Sequence, residues 1–196
     1  MIVLFFVNHK KKYDHFEILQ KKKILYFYSV DSPLSYLWIK RLTEISKKYS
    51  VQIIEKPIDL VGKVFVATGG TPVPQRHISR QNYRLLELKR WGEFLNIKIN
   101  QKPKFFPPKD PHLPALFCLA SIDMGINMDF SSKVLEHLWV KENDISNIDT
   151  LKLIADDLKI SFEELHNLFI TINDISKSKI KKELTSFVEV KDKGII

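Results

Sequence analysis

The sequence predicts an α/β fold in which one β-α-β unit leads into a helical body. Three observations carry that expectation. Ile24-Leu25-Tyr26-Phe27-Tyr28-Ser29 is a short apolar and aromatic run, the pattern of a buried strand. Leu34, Leu37, Trp38, Leu42 and Ile45 then recur at helical spacing, and Val51-Gln52-Ile53-Ile54-Glu55 forms a second strand-like run. From Ser79 onward the apolar residues recur with helical periods.

Taken in order, residues 1–23 read as an N-terminal extension, apolar from Ile2 to Val7 and then rich in lysine. The first part has strand-like composition and suits pairing with the open edge of the first strand. A mis-set start with an unattached leader fits the same residues. Pro33 suits the first position of a helix and Ser32 the cap before it, so a helix is expected from Pro33 to Tyr49. Pro57 closes the second strand, and a strand-helix-strand order makes the two strands parallel. Gly62, Gly69-Gly70, Pro72 and Pro74 mark a loop.

Helices are then expected over Ser79–Leu95, His112–Gly125, Asp129–Lys141, Thr150–Leu158, Ser161–Phe169 and Ser176–Val190. The first of these buries Tyr83, Leu86, Trp91, Phe94 and Leu95 and leaves Arg84, Lys89 and Arg90 to solvent. Ser161 with Glu164 makes a capping box, and Gly194 would end the last helix. A sheet of two parallel strands is too small to stand alone, so the sheet reads as unfinished.

Composition narrows the function. A chain of 196 residues with 44% hydrophobic and 28% charged residues is ordinary for a globular domain, which excludes disorder and fibrous repeats. The single Cys118 excludes a disulfide framework, a CxxC redox pair and a cysteine-based zinc site. There is no apolar run of membrane-spanning length and no export signal, so a cytoplasmic location is expected, or the mitochondrial matrix in a eukaryote. The net charge of +8 raises nucleic acid as a partner. Half of that charge sits in the extension, where Lys10 to Lys12 and Lys21 to Lys23 face only Asp14 and Glu17. The rest is mixed in sign, which reads as solvated surface.

Ser32-Pro33-Leu34-Ser35-Tyr36 is the sharpest local feature. A hydroxyl at a helix N-terminus could hold a thiolate or another anion, or it could serve simply as the helix cap. Gly62 and Thr68-Gly69-Gly70-Thr71-Pro72 could line a ligand or form a tight surface turn. His9, His15, His77, His112, His137 and His166 are scattered without metal-ligand spacing, so no metal site is expected. Asp156-Asp157 and Glu163-Glu164 read as exposed helix faces, Cys118 as a small buried hydrophobe, and Trp91 and Trp139 as core.

The segment from the first strand through Asp31-Ser32-Pro33-Leu34-Ser35-Tyr36-Leu37 resembles the opening of the 2-hydroxychromene-2-carboxylate isomerase and kappa-class glutathione transferase family. That family is a branch of the DsbA-like thioredoxin-fold proteins. Pro57-Ile58-Asp59-Leu60, Gly62 and Ala67-Thr68-Gly69-Gly70-Thr71-Pro72 are similar to the family's loop after the second strand. Tyr83 to Trp91 resembles its Tyr-rich basic helix, and Leu138-Trp139-Val140 with Asp144-Ile145 its Trp-x-x-x-x-Asp-Ile stretch. The similarity runs from about Ile24 to Gly194.

The resemblance implies an α/β, DsbA-like thioredoxin fold with a helical insertion domain. It divides the chain into the extension (1–23), a thioredoxin-like β-α-β half (24–58), the insertion (59–175) and a helix returning toward the second thioredoxin half (176–196). The family continues past the position of Ile196 into a strand preceded by a cis-proline, a further strand and a closing helix. This chain is therefore expected to be truncated at its C-terminus.

For function, the resemblance implies a glutathione-dependent isomerase, or a kappa-type transferase, with glutathione as cofactor. The DsbA-like CxxC pair corresponds here to Ser32 and Ser35, which excludes disulfide exchange at that position. The matching serine of the family holds the sulfur of glutathione, so Ser32 is the expected catalytic and cofactor-binding residue. The thiolate adds reversibly to an unsaturated substrate, or attacks an electrophile in transfer. The implied substrate is a small aromatic or unsaturated carbonyl compound, and the family's habit implies a homodimer. Two departures stand out. Val66 replaces a family lysine, and Gly70 occupies the cofactor-binding position of a family asparagine whose side chain is lost here. The alternatives are a catalytically inactive remnant that acts as a binding module, and a basic nucleic-acid-binding protein.

Overall fold

The computed structural model describes residues 3–7 and 22–175. The helix expected over Ser176–Val190, and residues 176–196 as a whole, lie outside the described residues.

Three strands form one sheet in the order β1-β2-β3: β1 (Val3–Val7), β2 (Lys23–Tyr28) and β3 (Gln52–Pro57). β2 and β3 are parallel, with Ile24 opposite Ile53 and Tyr28 opposite Pro57. β1 pairs antiparallel with the other edge of β2, from Val3 opposite Phe27 to Val7 opposite Lys23. The strand-like N-terminal run therefore does fill the edge that the β-α-β unit leaves open.

Side chains alternate across β2, as strand geometry requires. Ile24, Tyr26 and Tyr28 point into the main core, where Tyr26 and Tyr28 stack with ring centroids 4.8 Å apart. Leu25 and Phe27 join a smaller cluster with Ile58, Leu60 and Val64 on the opposite face.

Helix α1 (Pro33–Tyr49) has the bounds read from the sequence. It buries Leu37, Ile39 and Leu42, and Ser50 closes it in the left-handed conformation, with its N–H donating to the carbonyls of Ser46 and Lys47. The segment expected to be a loop instead contains a wide helical turn (Leu60–Val64), a short helix α2 (Phe65–Thr68) and a single tight turn (Val73–Gln75). The Asp59 carboxylate starts this run by accepting the Gly62 N–H at 2.7 Å. Gly69, at φ 70°, ends α2.

The helical body consists of α3 (Ile78–Leu95), α4 (His112–Asp123), α5 (Asn127–Trp139), α6 (Ile148–Asp157) and α7 (Phe162–Ile175). Each matches an expected helix within a few residues at its start, while α7 runs past Phe169. Phe117 of α4 stacks on Phe162 and Phe169 of α7 at 5.9 and 4.5 Å. The Ser161 hydroxyl accepts the Glu164 N–H at 3.2 Å, half of the expected capping box. Cys118, Phe130, Leu135, Leu138, Trp139, Leu151 and Leu165 complete a core in which each large apolar side chain contributes about 1.5–3 kcal/mol.

Helix α3 corrects the sequence reading. Its buried positions are Leu88 and Gly92, while Tyr83, Leu86 and Phe94 are exposed. It meets α1 through Trp91, whose ring lies edge-on to Trp38 at 5.3 Å. Arg84, Leu88 and Trp91 share one helical face, so Arg84 turns toward the protein rather than to solvent.

Candidate functional site

The site begins where β2 ends. Ser32 is the N-cap of α1, in extended backbone, and its Oγ accepts the Ser35 N–H at 3.3 Å. Pro33 follows at the first helical position, where its missing N–H costs nothing. Capping uses an oxygen lone pair, so the Ser32 hydroxyl keeps its proton to donate. The free N–H groups and dipole of the helix N-terminus favour negative charge at the same point.

Ser32 and Asp31 sit in the wall of a cleft of about 450 Å³. That volume lies within the range of roughly 300–1,000 Å³ found for small-ligand sites. The turns after β3 supply its apolar wall, with Leu60, Val61, Phe65 and Val73. The opposite wall is cationic: Arg76 lies just before α3, and Arg80 and Arg84 lie on it. Arg84 rests over Phe106 and Trp139, 5.1 and 5.8 Å from the ring centroids. Arg76 donates from Nε to the Thr71 carbonyl at 2.7 Å and lies 6.0 Å from the Phe65 centroid.

Electrostatics differ across the cleft. Burial raises the Asp31 carboxyl pKa, against a hydrogen bond from the Ser29 hydroxyl and the attraction of Arg84, while Asp59 adds repulsion. Burial lowers the Arg84 pKa, and the neighbouring charge of Arg76 lowers it further.

Of the residues singled out in the sequence, the cleft includes Ser32, Pro33 and Leu34 of the helix start, Pro72 and Pro74 of the loop, and Tyr83 of α3. Ser35 is fully buried behind the helix start. Gly70 is exposed and is not among the residues that line the cleft. Its N–H donates to the Phe65 carbonyl at 3.0 Å, and a side chain at Gly70 would overlap the Phe65 ring. Val66 is exposed. Cys118 is buried as expected, its thiol pushed up to about 12 by burial. Asp157 is exposed, as expected for its helix face, and it pairs with Lys141 at 2.5 Å and His137 at 3.4 Å. Among the described residues no group of three or more His, Cys, Asp and Glu could hold a metal ion. No helix among them is long and apolar enough to cross a membrane.

The reading from sequence missed Asp31 and the three arginines. Asp31 adjoins Ser32, and the four-residue spacing of 76, 80 and 84 is visible in the sequence. Reading Arg84 as solvent-facing hid the row.

A small sheet with a helix N-terminus opening on a cleft, and a large helical body beside it, defines a thioredoxin-fold protein with a helical insertion. The family model for the DSBA-like thioredoxin domain matches residues 23–191, and the chain belongs to that family. Among solved structures, 2-hydroxychromene-2-carboxylate isomerase is similar, with a TM-score of 0.67 and 16% identity over 86% of this chain and 80% of that one. The cytosolic disulfide reductase DsbM from Pseudomonas aeruginosa is similar at a TM-score of 0.64 and 12% identity, over 87% and 78% of the two chains. At these identities the likeness is one of fold. No curated protein matches the chain.

Proposed function

We propose that the chain is a glutathione-dependent isomerase or transferase of the 2-hydroxychromene-2-carboxylate isomerase type, acting at Ser32 on a small aromatic or unsaturated carbonyl compound. The observation that carries this reading is the Ser32 hydroxyl, free to donate from a helix N-terminus into a cleft of about 450 Å³. The donor set fits the cofactor. Ser32 offers a hydroxyl and a positive helix end for a thiolate, at the end of the cleft away from the arginine wall.

Bound glutathione would supply a thiolate nucleophile. The chain's own part is to hold that sulfur ionised, since a helix N-terminus lowers a thiol pKa. The Asp31 carboxyl, its pKa raised by burial, lines the same cleft beside Ser32 and is the cleft's titratable acid. Leu60, Val61 and Phe65 give the bound molecule an apolar wall.

A thermal melt with and without glutathione tests this. For a dissociation constant near 1 mM, about 10 mM glutathione adds roughly 1.4 kcal/mol, or about 3–6 °C. Ser32→Asp keeps the helix cap but places a second negative charge where the thiolate would lie. The expected result is a shift in the native chain and none in Ser32→Asp. An equal shift in both would overturn the role of Ser32.

Gly70 favours a second reading, a catalytically inactive binding module, because no side chain reaches the cleft from that position. That reading requires S-methylglutathione to stabilise the chain as well as glutathione does.

A further inference from the structure

The cleft contains more positive charge than its own acids balance. Arg76, Arg80 and Arg84 line it against Asp31 and Glu87. Arg80 makes no side-chain hydrogen bond or ion pair among the described residues. Arg76 spends its Nε on the Thr71 carbonyl, which leaves the outer guanidinium nitrogens without an acceptor. Nη2 of Arg84 is buried and has no hydrogen-bond partner. A charged nitrogen left this way costs free energy that an incoming anion would recover.

We propose that Arg76, Arg80 and Arg84 form an anion subsite for a dianionic group, a phosphate ester or a dicarboxylate, carried by a second ligand with an apolar body. The placement of the charges selects the ligand. A single carboxylate accepts one guanidinium fork, whereas a dianion has oxygens for two or more. Arg80 and Arg84 lie one turn apart on α3, and Arg76, just before the helix, is close enough to Arg84 to repel it; three such cations match the larger charge. Phe65, Val73 and Phe106 on the same walls leave the rest of the ligand apolar contact rather than water. Ser32 is not required for this contact, so the subsite does not rest on the thiol reading.

The test uses the whole chain and inorganic phosphate, succinate and acetate, each at matched ionic strength, with the melting temperature as readout. Phosphate or succinate should give a saturable rise of about 3–6 °C at ten times its dissociation constant, and acetate no saturable rise. Whichever dianion responds more strongly identifies the source. Arg84→Gln risks the packing on Trp139, so the decisive variant is Arg76→Gln with Arg80→Gln. Lys89→Gln with Arg90→Gln, on the exposed face of α3, removes the same charge as a control.

The response should disappear in the first double variant and persist in the control. Equal loss in both doubles, an equal acetate response, or a rise that never saturates would overturn the subsite. Glutathione added alone is a separate arm. A phosphate response without a glutathione response leaves this proposal standing and removes the thiol reading, and the converse removes this one.

Discussion

Two carboxylates near the same end of the sheet have opposite surroundings. Glu55 on β3 is 2% exposed, and one of its oxygens accepts from the Tyr28 hydroxyl at 2.8 Å and the Ser131 hydroxyl at 2.6 Å. These two hydroxyls also lie 2.7 Å apart, so strand β2, strand β3 and helix α5 meet in one hydrogen-bonded knot. Asp31, three residues beyond Tyr28, has the Ser29 hydroxyl beside it and a cleft in front. Converging partners make an acid structural. A buried acid that faces a cleft with a cation on the far wall is placed for binding or proton transfer.

The largest effect that could break this contrast is at Glu55. Glu55→Ala strands two buried hydroxyls and should cost about 3 kcal/mol or more in urea unfolding, with Glu55→Gln recovering a good part. A midpoint unchanged by Glu55→Ala would refute the structural role.

Smaller, and dependent on pH, is the effect of His137. This side chain is fully buried, and its pKa is lowered by burial and by Lys141. The unfolded chain therefore takes up the proton first as the solution is acidified. Stability is full above the unfolded value of about 6.5 and declines as pH falls toward the lower native value. His137→Gln should flatten that decline in melts taken between pH 7 and 5.

Asp31 should show the smallest effect, with the opposite sign. Its native pKa is raised, so the folded state binds the proton more readily than the unfolded one. The wild type should gain stability as pH falls from neutral toward the ordinary carboxylate value of about 3.9. Asp31→Asn should remove that gain and leave the neutral melt unchanged or slightly raised. A destabilised neutral melt would make Asp31 structural, like Glu55.

The helix starting at Ser32 was legible to the residue because its signals are local: a cap, a proline and a run at helical spacing. The strands were legible for the same reason, since their aromatic and β-branched runs are short and dense. The face that α3 buries was not. Its exposed Leu86 and Phe94 are as apolar as its buried Leu88, and only the position of α1, through Trp38 and Trp91, decides between them. The turns between Leu60 and Gln75 were missed because glycine and proline there end helical turns as well as loops. At the site, Ser32 was found from its cap pattern. Arg80 and Arg84 depend on the same rotation of α3, and Arg76 on the turn before it, so the arginine wall became visible only with the fold.

Trp139 occupies the boundary between core and cleft. Its indole is buried, lies 5.0 Å from the Phe106 ring and has the Arg84 guanidinium above it. A cation over an indole perturbs its excited state, and an anion drawn to Arg84 would alter that perturbation without touching the ring. The protein thus has an intrinsic optical reporter beside the proposed anion wall, while Trp91, paired with Trp38 two turns along the same face of α3, contributes a second signal to the same spectrum.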